Sequence, residues 1–301
     1  MLSWGVLPVA LSGILTRLDA LTITGVRFGV SAVVLAGALA LGRSLPSPRG
    51  LGRGSWGLLT VATGFLAANY LAYIVGLDHT TPADAQVLIQ AAPILLALAG
   101  VWVFREPFSR VQWIGFAILV TGIAIFAASR LATVAGLEGS ERHLRGNAII
   151  GLAALTWAVY GIAQKQLLRA MPSQHIMLVI YVGCTALFLP VSELHTLGGL
   201  DGAGWALLLF CALNTVVAYG SFSEALQHWE ASRVSAVLAL VPLATLAVQR
   251  LTLVWFPGFD PGPPLDLAAV AGACTVVAGS LLTSLGAPSA APEAPTEAGL
   301  S

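Results

Sequence analysis

The sequence predicts an all-α polytopic membrane protein, with about ten transmembrane helices in two inverted five-helix repeats. Three observations carry this. Of 301 residues, 57% are hydrophobic and only 9% are charged, whereas a soluble domain carries about a quarter charged residues. Apolar runs of about 20 residues recur along the chain, the length that crosses a hydrocarbon core of about 30 Å. These runs are too long for barrel strands and lack their alternation, so the spanning element is the helix. Finally, a shift of about 149 positions lays one stretch on another without gaps. Tyr70 then meets Tyr219, Leu77 meets Leu226, His79 meets His228 and Pro93 meets Pro242.

The runs place spans at 1–16, 20–42, 55–77, 83–104, 109–129, 147–168, 174–193, 203–226, 231–255 and 265–285. Between them lie short breaks rich in Gly, Pro and charge at 42–55, 136–146 and 256–264. Residues 1–130 form the first predicted repeat and 146–286 the second. The Pro/Ala-rich tail 287–301 is too polar to pack and is expected to be disordered. The first run is short: about 16 residues rise only about 24 Å. In the repeat, Ser3-Trp4 aligns with Thr156-Trp157, which has a longer lead-in, so the first helix is expected to begin upstream of Met1. No basic n-region or A-x-A site marks a cleaved signal peptide.

Basic residues orient the spans. With the N-terminus inside, Arg43, Arg49, Arg53, Arg105, Arg110, Arg169 and Arg233 fall on the cytoplasmic side. Arg17, Arg130, Arg142 and Arg145 fall outside, the last two interspersed with Glu138 and Glu141. Both termini are therefore expected to be cytoplasmic. Five spans per repeat is an odd number, so the two copies must enter the bilayer in opposite senses. Gly115 and Gly122 in the fifth span, and Gly272 and Gly279 in the tenth, each lie on one helix face and permit close approach.

Polar residues inside the spans fall into faces. Gln86, Gln90 and Pro93 recur on one face of span four, and Trp157, Tyr160 and Gln164 on one face of span six. Asn69, Tyr70 and Tyr73 come from span three, Tyr219 from span eight and Trp4 from span one. Lipid offers these groups no partners, so they should face another helix or a water-filled cavity. Uncharged donors and acceptors between aromatic walls suit a small amphipathic or zwitterionic solute. The alternative role is interhelical bonding, with tyrosines in the interfacial belt. Pro93 and Pro242 each remove a backbone hydrogen bond mid-span, giving either fixed curvature or a hinge. Their presence in both copies favours the hinge.

Four charges need separate weighing. Arg27 lies roughly 10 Å into span two by helical rise, where it either binds a substrate carboxylate or pairs with a neighbour such as Asp19. Lys165, the only lysine, and Glu224 lie near inner helix ends, where they snorkel to the interface or form an inner gate. Glu224 is the acid expected to titrate if transport is coupled to protons. Glu106, beside Arg105, is expected to cap the inner end of span four.

Several features keep a characteristic order: WGVLPVAL at 4–11, the arginine of VRFGVSAVVL at 26–35, Pro93 followed by Glu106, TWAVYGIAQKQ at 156–166, and Pro242. In this order and spacing the chain resembles EamA-type members of the drug/metabolite transporter superfamily, over nearly its whole length. The resemblance implies ten helices in two inverted five-helix repeats. It implies transport of amino acids, metabolites, nucleotide-linked sugars or drugs without choosing among them. Three features depart from the pattern. A lysine common in the first span is Ser12 here, though its second-copy counterpart remains as Lys165. The acid that ends span nine is replaced by Trp255, and an insertion follows at 257–264.

Other classes fit less well. The net charge is zero, which gives no electrostatic pull towards nucleic acid. Cys184, Cys211 and Cys274 are scattered singly, without metal or disulfide spacing, and read as small buried apolar residues. No HExxH, G-x-S-x-G or paired intramembrane acids support a membrane enzyme. No phosphate-binding loop or cofactor motif is present, so transport would draw on exchange or on a coupling proton or ion. The reading is therefore a secondary transporter for small polar or amphipathic metabolites, with amino acids first and export favoured over import, in contact with lipid and a small-molecule substrate. Efflux of drugs or quaternary cations ranks second, because such sites want a buried carboxylate and the predicted spans carry no acid at mid-membrane.

Overall fold

Helix is the regular structure throughout the computed structural model, which describes residues 2–46, 52–134, 140–238, 240–255 and 266–285. The predicted insertion at 257–264, the tail 287–301, Arg49, Glu138 and the Trp255 side chain lie outside the described residues. The helices are α1 (Leu2–Leu15), α2 (Ala20–Leu41), α3 (Arg53–His79), α4 (Pro82–Leu88), α5 (Ala91–Trp102) and α6 (Arg110–Val134). They continue with α7 (Ser140–Leu167), α8 (Ser173–Phe188), α9 (Gly202–His228), α10 (Ala231–Leu238), α11 (Val241–Trp255) and α12 (Leu267–Leu285). Two short 3₁₀ turns, Leu189–Val191 and Leu194–Gly199, join α8 to α9.

Among the described residues, seven segments are long and apolar enough to cross a membrane: α2, α3, α4 with α5, α6, α7, α8 with its following turn, and α9. Helices α1 and α12 are shorter, and the span predicted at 231–255 is divided into α10 and α11. Large apolar side chains such as Val33, Leu41 and Leu267 stand on the outer surface, as lipid-facing residues do.

Short polar residues start the helices where the sequence changes from loop to apolar run. Asp19 accepts from Leu21 N and Thr22 N, both at 2.9 Å, so it caps α2 instead of pairing with Arg27. Burial pushes its carboxyl up, but the bonds from Thr22 and Leu21 outweigh this and hold it below the usual range. Thr81 caps α4, with Pro82 in the first helical position. Asp201 caps α9 through Gly204 N at 2.7 Å and also pairs with Arg17.

The segments bearing Pro93 and Pro242 are both broken, whereas α1 runs on through Pro8. Pro93 cannot donate to Ile89 O; Ala92 N takes that oxygen at 2.9 Å in a tight turn, and the chain divides into α4 and α5. Pro242 stands just inside the start of α11, after the corresponding break. Elsewhere glycine sets the spacing. A Cβ on Gly122 would lie 2.5 Å from Val276 N, and one on Gly115 at 2.5 Å from Thr283 N. Gly115 faces Gly279 and Gly122 faces Gly272, so α6 and α12 run antiparallel with their backbones nearly touching. Among the cysteines, Cys184 and Cys211 are buried as expected but Cys274 is exposed.

Candidate functional site

Where α4 gives way to α5, the backbone opens onto a central cavity of about 640 Å³, counting space that communicates with solvent. Its walls come from α1 (Trp4, Leu7), α2 (Arg27), α3 (Asn69, Tyr70, Tyr73), the α4–α5 break (Gln86, Ile89, Gln90, Ala92, Pro93), α7 (Trp157), α9 (Tyr219) and α10–α11 (Leu238, Val241). The broken helix thus presents Gln86, Gln90 and Pro93 together, although they no longer share one continuous helical face.

Aromatic rings form much of the wall. Tyr70 and Tyr219 meet with ring centroids 5.2 Å apart, and Trp4 sits edge-on to Tyr219 at 5.3 Å. Asn69 ties α3 to α7 by donating to Ala153 O at 2.8 Å, and its Oδ1 accepts from Tyr219 Oη at 3.4 Å. Tyr73 Oη donates to Gln86 Oε1 at 3.3 Å. Gln90 Oε1 and Tyr70 Oη are buried without a hydrogen-bond partner among the described residues. Arg27, 2% exposed, has its Nε held by Cys211 O at 3.2 Å and Thr215 Oγ1 at 3.1 Å, and its guanidinium lies over the Tyr70 ring at 4.6 Å.

Five predicted residues stand elsewhere. Tyr160 points into the α7–α8 core, where its hydroxyl contacts Met177 Sδ at 3.5 Å, because its helical position turns it away from the cavity. Gln164 donates to Ser223 Oγ across α9 and acts as an interhelical bond. Lys165 lies outside the cavity lining; it pairs with Glu106 and also donates to Trp229 O at 3.4 Å. Glu106 is correspondingly more than a local cap. Arg105 adopts a left-handed φ of 57°, the chain turns back, and Glu106 N donates to Gly100 O at 2.9 Å. Its carboxylate then reaches Lys165 and accepts from Ala231 N at 3.2 Å. Glu224 is half-exposed beside Ser173 and His228, near the end of α9 and outside the cavity lining. Pro242 is buried next to the cavity residue Val241 but does not line the cavity.

One buried cluster escaped the sequence reading. Arg130 is not in an outer loop, because α6 runs on to Val134. Its Nε and Nη2 both donate to Asp84, and these side chains are only 3% and 1% exposed. His143 Nε2 lies 3.0 Å from the same carboxylate, and Thr81 Oγ1 donates to it at 2.8 Å. Asp84 is therefore a buried acid inside a spanning segment. The available signals were the T-P-x-D start of α4 and the absence of a breaker between the apolar run and Arg130.

The helices and their cavity define a multi-pass α-helical membrane protein of the transporter class. The model of the EamA-like transporter family matches residues 1–128 and 144–285, and the chain belongs to that family. An uncharacterized transporter of Haemophilus influenzae is 34% identical over 286 residues, covering 95% of this chain and 92% of that protein. The uncharacterized inner membrane transporter YhbE of Escherichia coli K12 is 33% identical over 285 residues, covering 94% and 88%. A Salmonella typhimurium protein named "Probable amino-acid metabolite efflux pump" is 26% identical over 243 residues, covering 76% and 75%. A solved crystal structure at 19% identity superposes with a TM-score of 0.69 over 95% of this chain and 94% of its own, a likeness of fold.

Proposed function

We propose that the protein is a secondary active transporter that exports small polar or amphipathic metabolites, amino acids foremost, across the inner membrane. The observation that carries this reading is the central cavity, where uncharged hydrogen-bonding groups and aromatic rings converge at a broken helix. The Salmonella relative's name favours amino-acid products and the outward direction. Transport proceeds by alternating access: two inverted five-helix halves, 1–130 and 146–286, rock about the cavity, with Pro93 and Pro242 as hinges and both termini cytoplasmic. Several features support two related halves. Tyr70 and Tyr219 occupy matching positions and touch at the centre. Both proline segments are broken, Gly115 and Gly122 face their counterparts, and the family match falls into two blocks. Drug or quaternary-cation efflux fits less well, because among the described residues no carboxylate lines the cavity.

The test is counterflow of a labelled amino-acid mixture into proteoliposomes. Tyr70→Ala, Gln90→Ala and Trp157→Ala should each lower the rate about tenfold or more, a loss of about 1.4 kcal/mol. Unchanged rates in all three well-folded variants would place the transport site elsewhere.

A further inference from the structure

We infer that Arg27 is the specificity-determining residue of the cavity and that it selects solutes bearing a carboxylate. This rests on the cavity being the transport site. The charge is deeply placed, and among the described residues no acid lies within ion-pair reach of it. Asp19, the neighbour on its own helix, is used as the α2 cap. A buried cation without an anion is unfavourable, and intramembrane ionisable groups are retained where something compensates them. Here the compensation within the chain is partial: a carbonyl, a hydroxyl and the face of Tyr70. The carbonyl and hydroxyl engage Nε alone. Neither Nη1 nor Nη2 has a hydrogen-bond partner among the described residues, and the residue lines the cavity wall.

That arrangement fixes the guanidinium fork. Nε is anchored on α9, the plane rests on Tyr70, and two N–H-bearing nitrogens remain for a ligand. A planar carboxylate matches such a fork with two parallel, charge-assisted hydrogen bonds. Helices α5 and α11 begin at the cavity while α4 and α10 end there, at Ile89 and Leu238, so the helix dipoles largely offset one another and Arg27 is the full charge on the wall. Among the described residues no carboxylate lines the cavity to compete for it. The buried, unpaired Gln90 Oε1 supplies an acceptor, which suits the ammonium group of a zwitterion better than a simple anion.

The experiment uses the purified full chain and a matched set of probes: L-leucine, L-leucinamide, isoamylamine and 4-methylpentanoate. Thermal stabilisation of the detergent-solubilised protein reads binding, and counterflow in proteoliposomes reads transport. We expect leucine and 4-methylpentanoate to bind at least about 30-fold more tightly than the amide or the amine. Arg27→Gln should erase that preference, and Arg27→Lys should retain part of it. Stabilisation by the amide or amine equal to that by the acids, or by none of the four, overturns the inference, as does an unchanged preference in Arg27→Gln. If Arg27→Gln does not fold, the selectivity of the native chain still decides. Acid-selective binding without counterflow would leave the inference standing and sink the transport reading. Counterflow of amines alone would do the reverse.

Discussion

Each end of the molecule carries an ion pair joining helices distant in sequence, yet the two pairs are built differently. Where α3 turns into α4, Asp84 receives two guanidinium nitrogens of Arg130, the His143 ring and the Thr81 hydroxyl. Both ion-pair partners are almost fully buried, and α4, α6 and α7 are joined through one carboxylate. Where α9 turns into α10, Lys165 meets Glu106 through a single ammonium, and these side chains are 16% and 10% exposed. Glu106 Oε2 is left without a hydrogen-bond partner among the described residues, and Glu230 brings a second carboxylate nearby. The first pair is bidentate and closely satisfied; the second is a point contact with a repulsive neighbour. The difference indicates which end separates more readily, because a partly wetted single contact exchanges for water at less cost than a buried fork.

The largest effect should come from breaking the tighter end. Asp84→Asn leaves Arg130 charged and buried, which should cost about 3–5 kcal/mol of stability. A marked fall in melting temperature of the detergent-solubilised protein would show it. Combining Asp84→Asn with Arg130→Met removes the stranded charge and should recover much of that loss. An Asp84→Asn protein as stable as the parent would mean that the pair is not the fastener described.

Lys165→Met should cost less, about 1–2 kcal/mol, because Glu106 retains the Ala231 N–H and has some access to water. Its clearer signature is local. Hydrogen exchange should rise in the first turn of α10 (Ala231–Val234) and stay unchanged in the first turn of α4 (Pro82–Ala85). Asp84→Asn should give the opposite pattern. Equal changes at both ends in either variant would show that the two fasteners act as one.

This contrast was only half legible in the sequence. Charge content and run length identified the helices, and the spacing of Gly115, Gly122, Gly272 and Gly279 identified one close-packed pair, because both signals are periodic and local. Most of the cavity set was legible for the same reason: a polar side chain in an apolar run must turn inward. Tyr160 and Gln164 fall outside the cavity lining because inward covers both a cavity and a neighbouring helix, and periodicity does not separate them. The ion pairs were not legible. Asp84 and Arg130 are 46 residues apart and Glu106 and Lys165 are 59 apart, and no pattern along the chain couples residues at such distances. The left-handed Arg105 that swings Glu106 inward has no Gly or Asn to announce it.

The smallest effect concerns the repulsive neighbour. Burial, followed by the Glu106 carboxylate, raises the Glu230 carboxyl above its ordinary value of 4.5, against weaker pulls from Arg233 and Lys165. The raised value means that the folded state binds a proton more readily than the unfolded chain does. Glu230 therefore contributes most to stability below the unfolded value, and its contribution falls as pH rises through the interval up to the raised one. Glu230→Gln removes this dependence and the repulsion with Glu106. At pH 7 the variant should melt about 1–2 °C above the parent, and at pH 4 the two should coincide. A variant less stable at pH 7 would mean that ionised Glu230 is held by Lys165 or Arg233 strongly enough to outweigh Glu106. The α9–α10 end would then be a three-membered network, and its contrast with the Asp84 cluster would largely disappear.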